Sequence, residues 1–184
     1  ELNFLKGLLE VSKAINSALD VKKVLNLLVK TVTTALDIKE AGVRLLDEKR
    51  QQMELVAHYG LSERYITKGP VGTDKSITDA MMGKAVSIYD VDSDPRATYP
   101  QQAAEEGIKS ILSVPINLKG NVIGVMRIYT SEPREFSDDE ITFISSLAEQ
   151  AALGMENARL YQKLKGEYEE MMGDLYSFTG FTRF

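Results

Sequence analysis

Along the chain, stretches whose apolar residues recur every three or four positions alternate with stretches in which they recur every second position or run together. From residue 20 the apolar positions Val24, Leu25, Leu28, Val29, Val32 and Leu36 form one helical stripe, and Asp20 is placed to cap it. An upstream helix over residues 2–18 carries two stripes, Leu5, Leu8, Ile15 and Leu19 on one side and Phe4, Val11, Ala14 and Ala18 on the other. Such a helix needs apolar partners on both sides.

Strand-type runs follow at 41–47 and 53–59, joined by the polar turn 48–52. Gly60, Gly69, Pro70 and Gly72 then punctuate a loop; Ser76 is expected to cap a short helix ending at Gly83, and 85–89 reads as a third strand. The irregular segment 90–100, which leads into a helix at 101–106, has the character of a lid. Strands at 110–117 and 122–130, apolar nearly throughout and joined by 118–121, predict a hairpin covered on both faces. Ser137 and Glu140 make a capping box that opens a helix running past residue 170.

The stripe of this last helix changes phase. Ile141, Ile144, Ala148, Ala151, Met155 and Ala158 are succeeded by Tyr161, Leu164, Tyr168, Met171 and Leu175, because the next step of the first series would fall on polar Gln162. Two stripes out of register imply two successive partners, first the sheet and then another helix. With the two-sided first helix, this predicts a homodimer bundled through its terminal helices, Leu5, Leu8, Ile15, Tyr161, Leu164, Tyr168 and Met171 lying at the interface. The expected organisation is a packing helix at 1–19, a globular domain at 20–160 and an exit helix at 161–184 directed towards a missing output domain.

Composition narrows the chemistry. Over 184 residues the formal charge is −5, so no basic field draws in nucleic acid or anionic lipid. Cysteine is absent, which excludes disulfides, thiolate nucleophiles, Fe–S clusters and thioether-linked chromophores. One histidine, His58, rules out a multi-His metal site. No apolar run reaches the roughly 18 residues of a membrane span, and no signal-peptide pattern opens the chain, so a cytoplasmic protein without a membrane part is expected. No nucleophile–base pair or phosphate-binding glycine motif is visible; an enzyme is not expected, and no cofactor is implied.

Arg127 interrupts an apolar strand, and Arg44 does the same in Val43-Arg44-Leu45. A buried guanidinium has to meet a carboxylate, a ligand anion or solvent, so these positions read either as the floor of an anion-accepting pocket or as structural ion pairs. Alternation puts Arg127 with Ile123, Val125 and Tyr129, opposite Met126 and Ile128. Asp90, Asp92 and Asp94 resemble half a calcium loop, but Pro95 occupies the position where Gly is required and Gln101 the position of the final Glu. Asp caps and turns that hold the lid explain the run better. His58 is either a strand-end residue or a proton-sensing or haem-ligating group. Ser113 is placed to offer a hydroxyl to a cavity.

Several pieces in order carry a family resemblance: Leu19-Asp20; Val43-Arg44-Leu45-Leu46-Asp47-Glu48 with His58-Tyr59-Gly60; Gly83-Lys84-Ala85-Val86-Ser87-Ile88-Tyr89-Asp90; Asp94-Pro95-Arg96; Ser110-Ile111-Leu112-Ser113-Val114-Pro115-Ile116; Gly120-Asn121-Val122-Ile123-Gly124-Val125; and Phe136-Ser137-Asp138-Asp139-Glu140. Over about residues 12–162 the chain resembles a GAF domain. The resemblance implies an α+β fold with an antiparallel sheet of five or six strands, terminal helices on one face and lid elements on the other. It implies a small-molecule pocket beneath the lid, with Arg44, Asp90, Arg96, Tyr99, Ser113, Arg127 and Tyr129 as candidate contacts. It further implies a sensory or regulatory role upstream of a kinase, a cyclase or a transcriptional activator, or a scaffold that only dimerises its neighbours. Thr130-Ser131, where cyclic-nucleotide-binding members carry Asn-Lys, and the two-residue spacing from Phe136 to Asp139-Glu140 depart from that subfamily. The missing cysteines depart from the bilin-binding and methionine-sulfoxide-reducing members.

Overall fold

The computed structural model describes residues 5, 6, 9, 12, 13, 20–47, 49, 52–68 and 74–178, with side chains through Asp174. Helix α1 (Val21–Ala35) begins where Asp20 accepts a hydrogen bond from the Lys22 N–H, and its predicted stripe is buried from Val24 to Leu36. Strands β1 (Glu40–Asp47) and β2 (Gln52–Tyr59) form a hairpin. Then come α2 (Glu63–Ile66), α3 (Lys75–Met81), β3 (Val86–Ile88), α4 (Pro100–Glu106), β4 (Ser110–Leu118), β5 (Asn121–Thr130) and the 41-residue α5 (Asp138–Phe178).

The five strands form one sheet in the order β2-β1-β5-β4-β3, every pairing antiparallel. Period-two alternation gives this sheet two different faces. On one side Ala41, Val43, Leu112, Val114, Met126 and Ile128 pack against the stripes of α1 and α5, and this is the main core. On the other side lie Arg44, Ile111, Ser113, Val125, Arg127 and Tyr129, covered by α2, α3, α4 and the 90–100 loop. Pro115 has no N–H to give a neighbouring strand; β4 tolerates it because β3 begins opposite Ser113 and does not reach Pro115.

Three sequence expectations change. Ser76 does not cap α3; Asp74 does, through both the Ser76 and Ile77 N–H groups, because its carboxylate sits two residues earlier and is turned into the helix end. Ile123 leaves the Arg127 face and packs on the main core, since the β4–β5 register slips by one residue between Ile116 and Asn117 and leaves Ile123 as the extra residue. The third strand is trimmed to three residues, and α2, capped by Ser62, had no expectation. In the long helix the first stripe is buried from Ile144 to Ala158 with Ile141 half-buried, whereas Tyr161, Leu164, Tyr168 and Met171 are exposed in the single chain. Leu5 is also exposed; Leu8 and Ile15, together with most of the two-sided helix, lie outside the described residues.

Close strand packing fixes Gly124. A Cβ there would lie 2.3 Å from the Arg44 carbonyl oxygen and 2.7 Å from Leu45 Cδ2, whereas one at Gly166 on α5 would meet nothing within 4 Å. Gly124→Ala should therefore lower unfolding stability in urea by about 2 kcal/mol, while Gly166→Ala should raise it by up to about 1 kcal/mol through helix propensity.

Candidate functional site

Arg127 sits near the middle of β5, itself the central strand, and is only 2% exposed. Its Nη1 donates to Asp74 Oδ2 at 3.0 Å and its Nη2 to Ser76 Oγ at 3.1 Å. Ser76 Oγ in turn donates to Asp74 Oδ1 at 2.7 Å and accepts from Ser113 Oγ at 3.4 Å. One carboxylate thus performs two tasks: Oδ1 caps α3 and Oδ2 neutralises a guanidinium of the sheet. Helix α3 is positioned by the charge it has to cover.

Arg44, on β1, faces the same side one strand away and is 7% exposed. Among the described residues no carboxylate pairs with it, and its Nε, like that of Arg127, is buried without an acceptor. Burial pushes the Arg44 pKa down, and the Arg127 charge adds to the push. Beside Arg127, Tyr65 and Tyr129 meet edge to face at 5.7 Å, and Lys68 Nζ lies 3.5 Å from the centre of the Tyr65 ring. Two guanidiniums and an amine therefore cluster around one carboxylate, Asp74.

These groups border a crevice under the lid, lined by Tyr65, Lys68, Asp74, Arg127 and Ile111 below and by Val91, Ala97, Thr98, Tyr99 and Ala103 above. Its empty volume is about 220 Å³, yet most of it is too narrow for solvent, leaving room for about one water molecule. A wider groove of about 720 Å³ runs along Asp37–Glu40 and Tyr129–Arg134. Its guanidinium, Arg134, is already bound to Glu140 at 2.5 Å. The crevice is the better candidate because its cations are buried and outnumber the one carboxylate, Asp74, set among them.

The structure brings together Arg127, Ser113, Tyr129 and Tyr99, with Arg44 adjacent on the sheet. It uses Asp90 and Arg96 differently. Asp90 accepts from Ser93 Oγ and the Asp92 N–H, closing its own turn. Arg96 is bound to Asp94 and donates to the Ser87 carbonyl oxygen at 2.9 Å, which ties the loop to β3. Asp92 turns to Lys109, so the three aspartates of the calcium-like run face separate partners. His58 is exposed at the end of β2. Sequence reasoning missed Asp74, Ser76, Tyr65 and Lys68; the demand of a buried Arg127 for a carboxylate was the available signal, and Asp74 at a helix start was a place to look.

The sequence model of the GAF domain matches residues 18–156. This chain belongs to the GAF domain family. A phosphoenolpyruvate-dependent phosphotransferase system protein of Escherichia coli is 26% identical over 168 residues, covering 90% of this chain and 22% of that protein. The Nif-specific regulatory protein of Herbaspirillum seropedicae is 24% identical over 169 residues, covering 88% and 30%. The chain thus spans less than a third of these curated relatives. Among solved structures, the GAF domain of a phosphoenolpyruvate-protein phosphotransferase from Coxiella burnetii superposes with a TM-score of 0.76 at 22% identity, covering 88% of this chain and 98% of that one. Free methionine-R-sulfoxide reductase from Neisseria meningitidis, solved with its substrate, gives 0.71 at 18% identity, covering 86% and 91%. GAF domains therefore occur in signalling proteins that include kinases and a Nif-specific regulator. No helix among the described residues is long and apolar enough to cross a membrane.

Two expectations follow for this GAF domain. Asp74→Asn should cost about 3–5 kcal/mol by stranding Arg127, and Asp74→Asn combined with Arg127→Met should recover much of the loss in a denaturation double-mutant cycle. The second concerns Glu40, whose carboxyl is pushed up from 4.5 to about 7 by burial and then by Glu106, with Lys39 opposing. A carboxyl held above its unfolded value stabilises the fold fully below pH 4.5 and loses that contribution as pH rises through about 7. Glu40→Gln should accordingly flatten the fall in denaturation midpoint across that window.

Proposed function

We propose that this chain is a non-enzymatic sensory GAF module that takes a small anionic ligand into the crevice under the lid and passes the change to paired terminal helices. The single observation that carries the reading is the charge imbalance: a buried Arg44 that no carboxylate among the described residues pairs with, and a buried Arg127 that shares Asp74 with a helix cap. A carboxylate or phosphate would supply the missing acceptors, and two guanidiniums suit such groups geometrically. Tyr99, Tyr129 and Ser113 would complete the contacts, while Asp90 and Arg96 would act by shaping the lid. The ligand would act by binding one arrangement of sheet and lid better than another; a tenfold preference amounts to about 1.4 kcal/mol.

For output, Tyr161, Leu164, Tyr168 and Met171 line one exposed face of α5. A second copy would bury that face, in a cytoplasmic homodimer feeding a kinase, cyclase or transcriptional activator. The narrowness of the crevice favours a second reading, a scaffold that pairs its neighbours without a ligand.

A thermal-shift screen of small carboxylates and phosphates separates the two. A ligand at 100 times its dissociation constant should add about 2.7 kcal/mol of stability, and Arg44→Met should remove the gain; a screen in which no anion raises the midpoint supports the scaffold. Leu164→Asp with Met171→Asp should yield a folded monomer in sedimentation, and a persisting dimer would remove these residues from the interface.

A further inference from the structure

We propose that Lys68 is a site of reversible carbamylation by carbon dioxide, the resulting carbamate anion being held by the guanidiniums of Arg127 and Arg44 beneath the lid. The proposal rests on the reading that this crevice accepts an anion, and it names where that anion comes from.

Three observations converge on Lys68. Its amine lines the same crevice as Arg127 and Asp74 and is packed against the Tyr65 ring, with the Tyr65 carbonyl oxygen as acceptor at 3.3 Å. Among the described residues no carboxylate pairs with it. Burial, followed by the positive charges of Arg127 and Arg44, pushes the amine down from 10.5 to about 7, against the weaker pull of Asp74 and Glu106. An amine of that kind is neutral in about half of the molecules at neutral pH, a fraction on the order of a thousandfold above that of an ordinary lysine.

The chemistry fits the space and the charge. The ammonium first releases a proton to water; the nitrogen lone pair then attacks the carbon of carbon dioxide, one C–O π pair moves onto oxygen, and the nitrogen gives up a second proton. The product is an N-carboxylate bearing one negative charge, with two protons released and no oxidant or reductant consumed. The change removes a cation from a place with too many and supplies acceptors where two guanidinium Nε–H groups have none. Carbon dioxide adds only three heavy atoms to the amine, beside a crevice of about 220 Å³ empty volume, whereas acylation would bring no anion.

The test uses the chain under isotopically labelled bicarbonate and carbon dioxide, with the carbamate trapped by alkylation using a trialkyloxonium salt and located by mass spectrometry. Lys68 should carry the trapped label far above the exposed Lys163 and Lys165, Lys68→Arg should lose it, and Arg127→Lys should reduce it. In the wild type alone, adduct formation should rise with pH around 7; a rise near the ordinary lysine value would overturn the proposal, and this holds even if the variants fail to fold. Label on Lys68 no greater than on the exposed lysines would also overturn it. Thermal shift with acetate and inorganic phosphate in carbon dioxide-free buffer separates the two ideas. Stabilisation by those anions in both wild type and Lys68→Arg, with Lys68 unlabelled, removes the carbamate and keeps the anion site. Failure of both the anions and carbon dioxide to stabilise removes both.

Discussion

A guanidinium placed in the middle of a central strand has to be neutralised inside the protein or left in contact with water, and much of this structure follows from how Arg127 meets that demand. Its carboxylate comes from Asp74, which is 53 residues away in the chain and stands at the start of α3. Since the same side chain caps that helix, moving α3 would break a helix end and an ion pair together. Pairs of this kind are weak sources of net stability, because desolvating both charges consumes most of their attraction. What the pair fixes is position: only one placement of α3 on the sheet satisfies Arg127, Ser76 and Ser113 at once.

The two faces of the sheet divide the work. Towards α1 and α5 the strands present mainly apolar side chains, and hydrophobic burial there supplies the main stability. Towards the lid the same strands present Arg44, Ser113, Arg127 and Tyr129 between two smaller apolar clusters. A polar network on that side is tolerable because the other side already holds the domain together. The lid is secured at its rim instead, where Glu106 accepts from the Ser62 N–H and Oγ, and Arg64 pairs with Glu105. These rim contacts are exposed and individually weak, so they can break without threatening the core.

The sheet is also the wall shared by the crevice and the long helix. β5 carries Arg127 on one face and Met126 and Ile128 on the other, and the latter two belong to the core that receives α5. Any adjustment of the strand that accommodates charge on the lid side meets tightly packed side chains on the helix side. In the proposed function this is the route by which occupancy reaches the exposed stripe beyond residue 160.

Local patterning by itself determined most of the architecture. The α1 stripe, the two hairpins, the capping box at Ser137 and Glu140 and the phase change in α5 are all short-range signals, set by side-chain period and backbone capping, and they need no knowledge of the rest of the chain. Family likeness added the order of the pieces and the place of the lid. What only the tertiary structure decided was pairing across long separations: which carboxylate meets Arg127, that no described carboxylate pairs with Arg44, that Lys68 comes to line the same crevice as Arg127, and that a one-residue slip in β4–β5 turns Ile123 to the other face. Charge pairing has no period, and a register slip changes no composition, so neither leaves a mark in a linear pattern. Both are settled when the strands align and the lid closes.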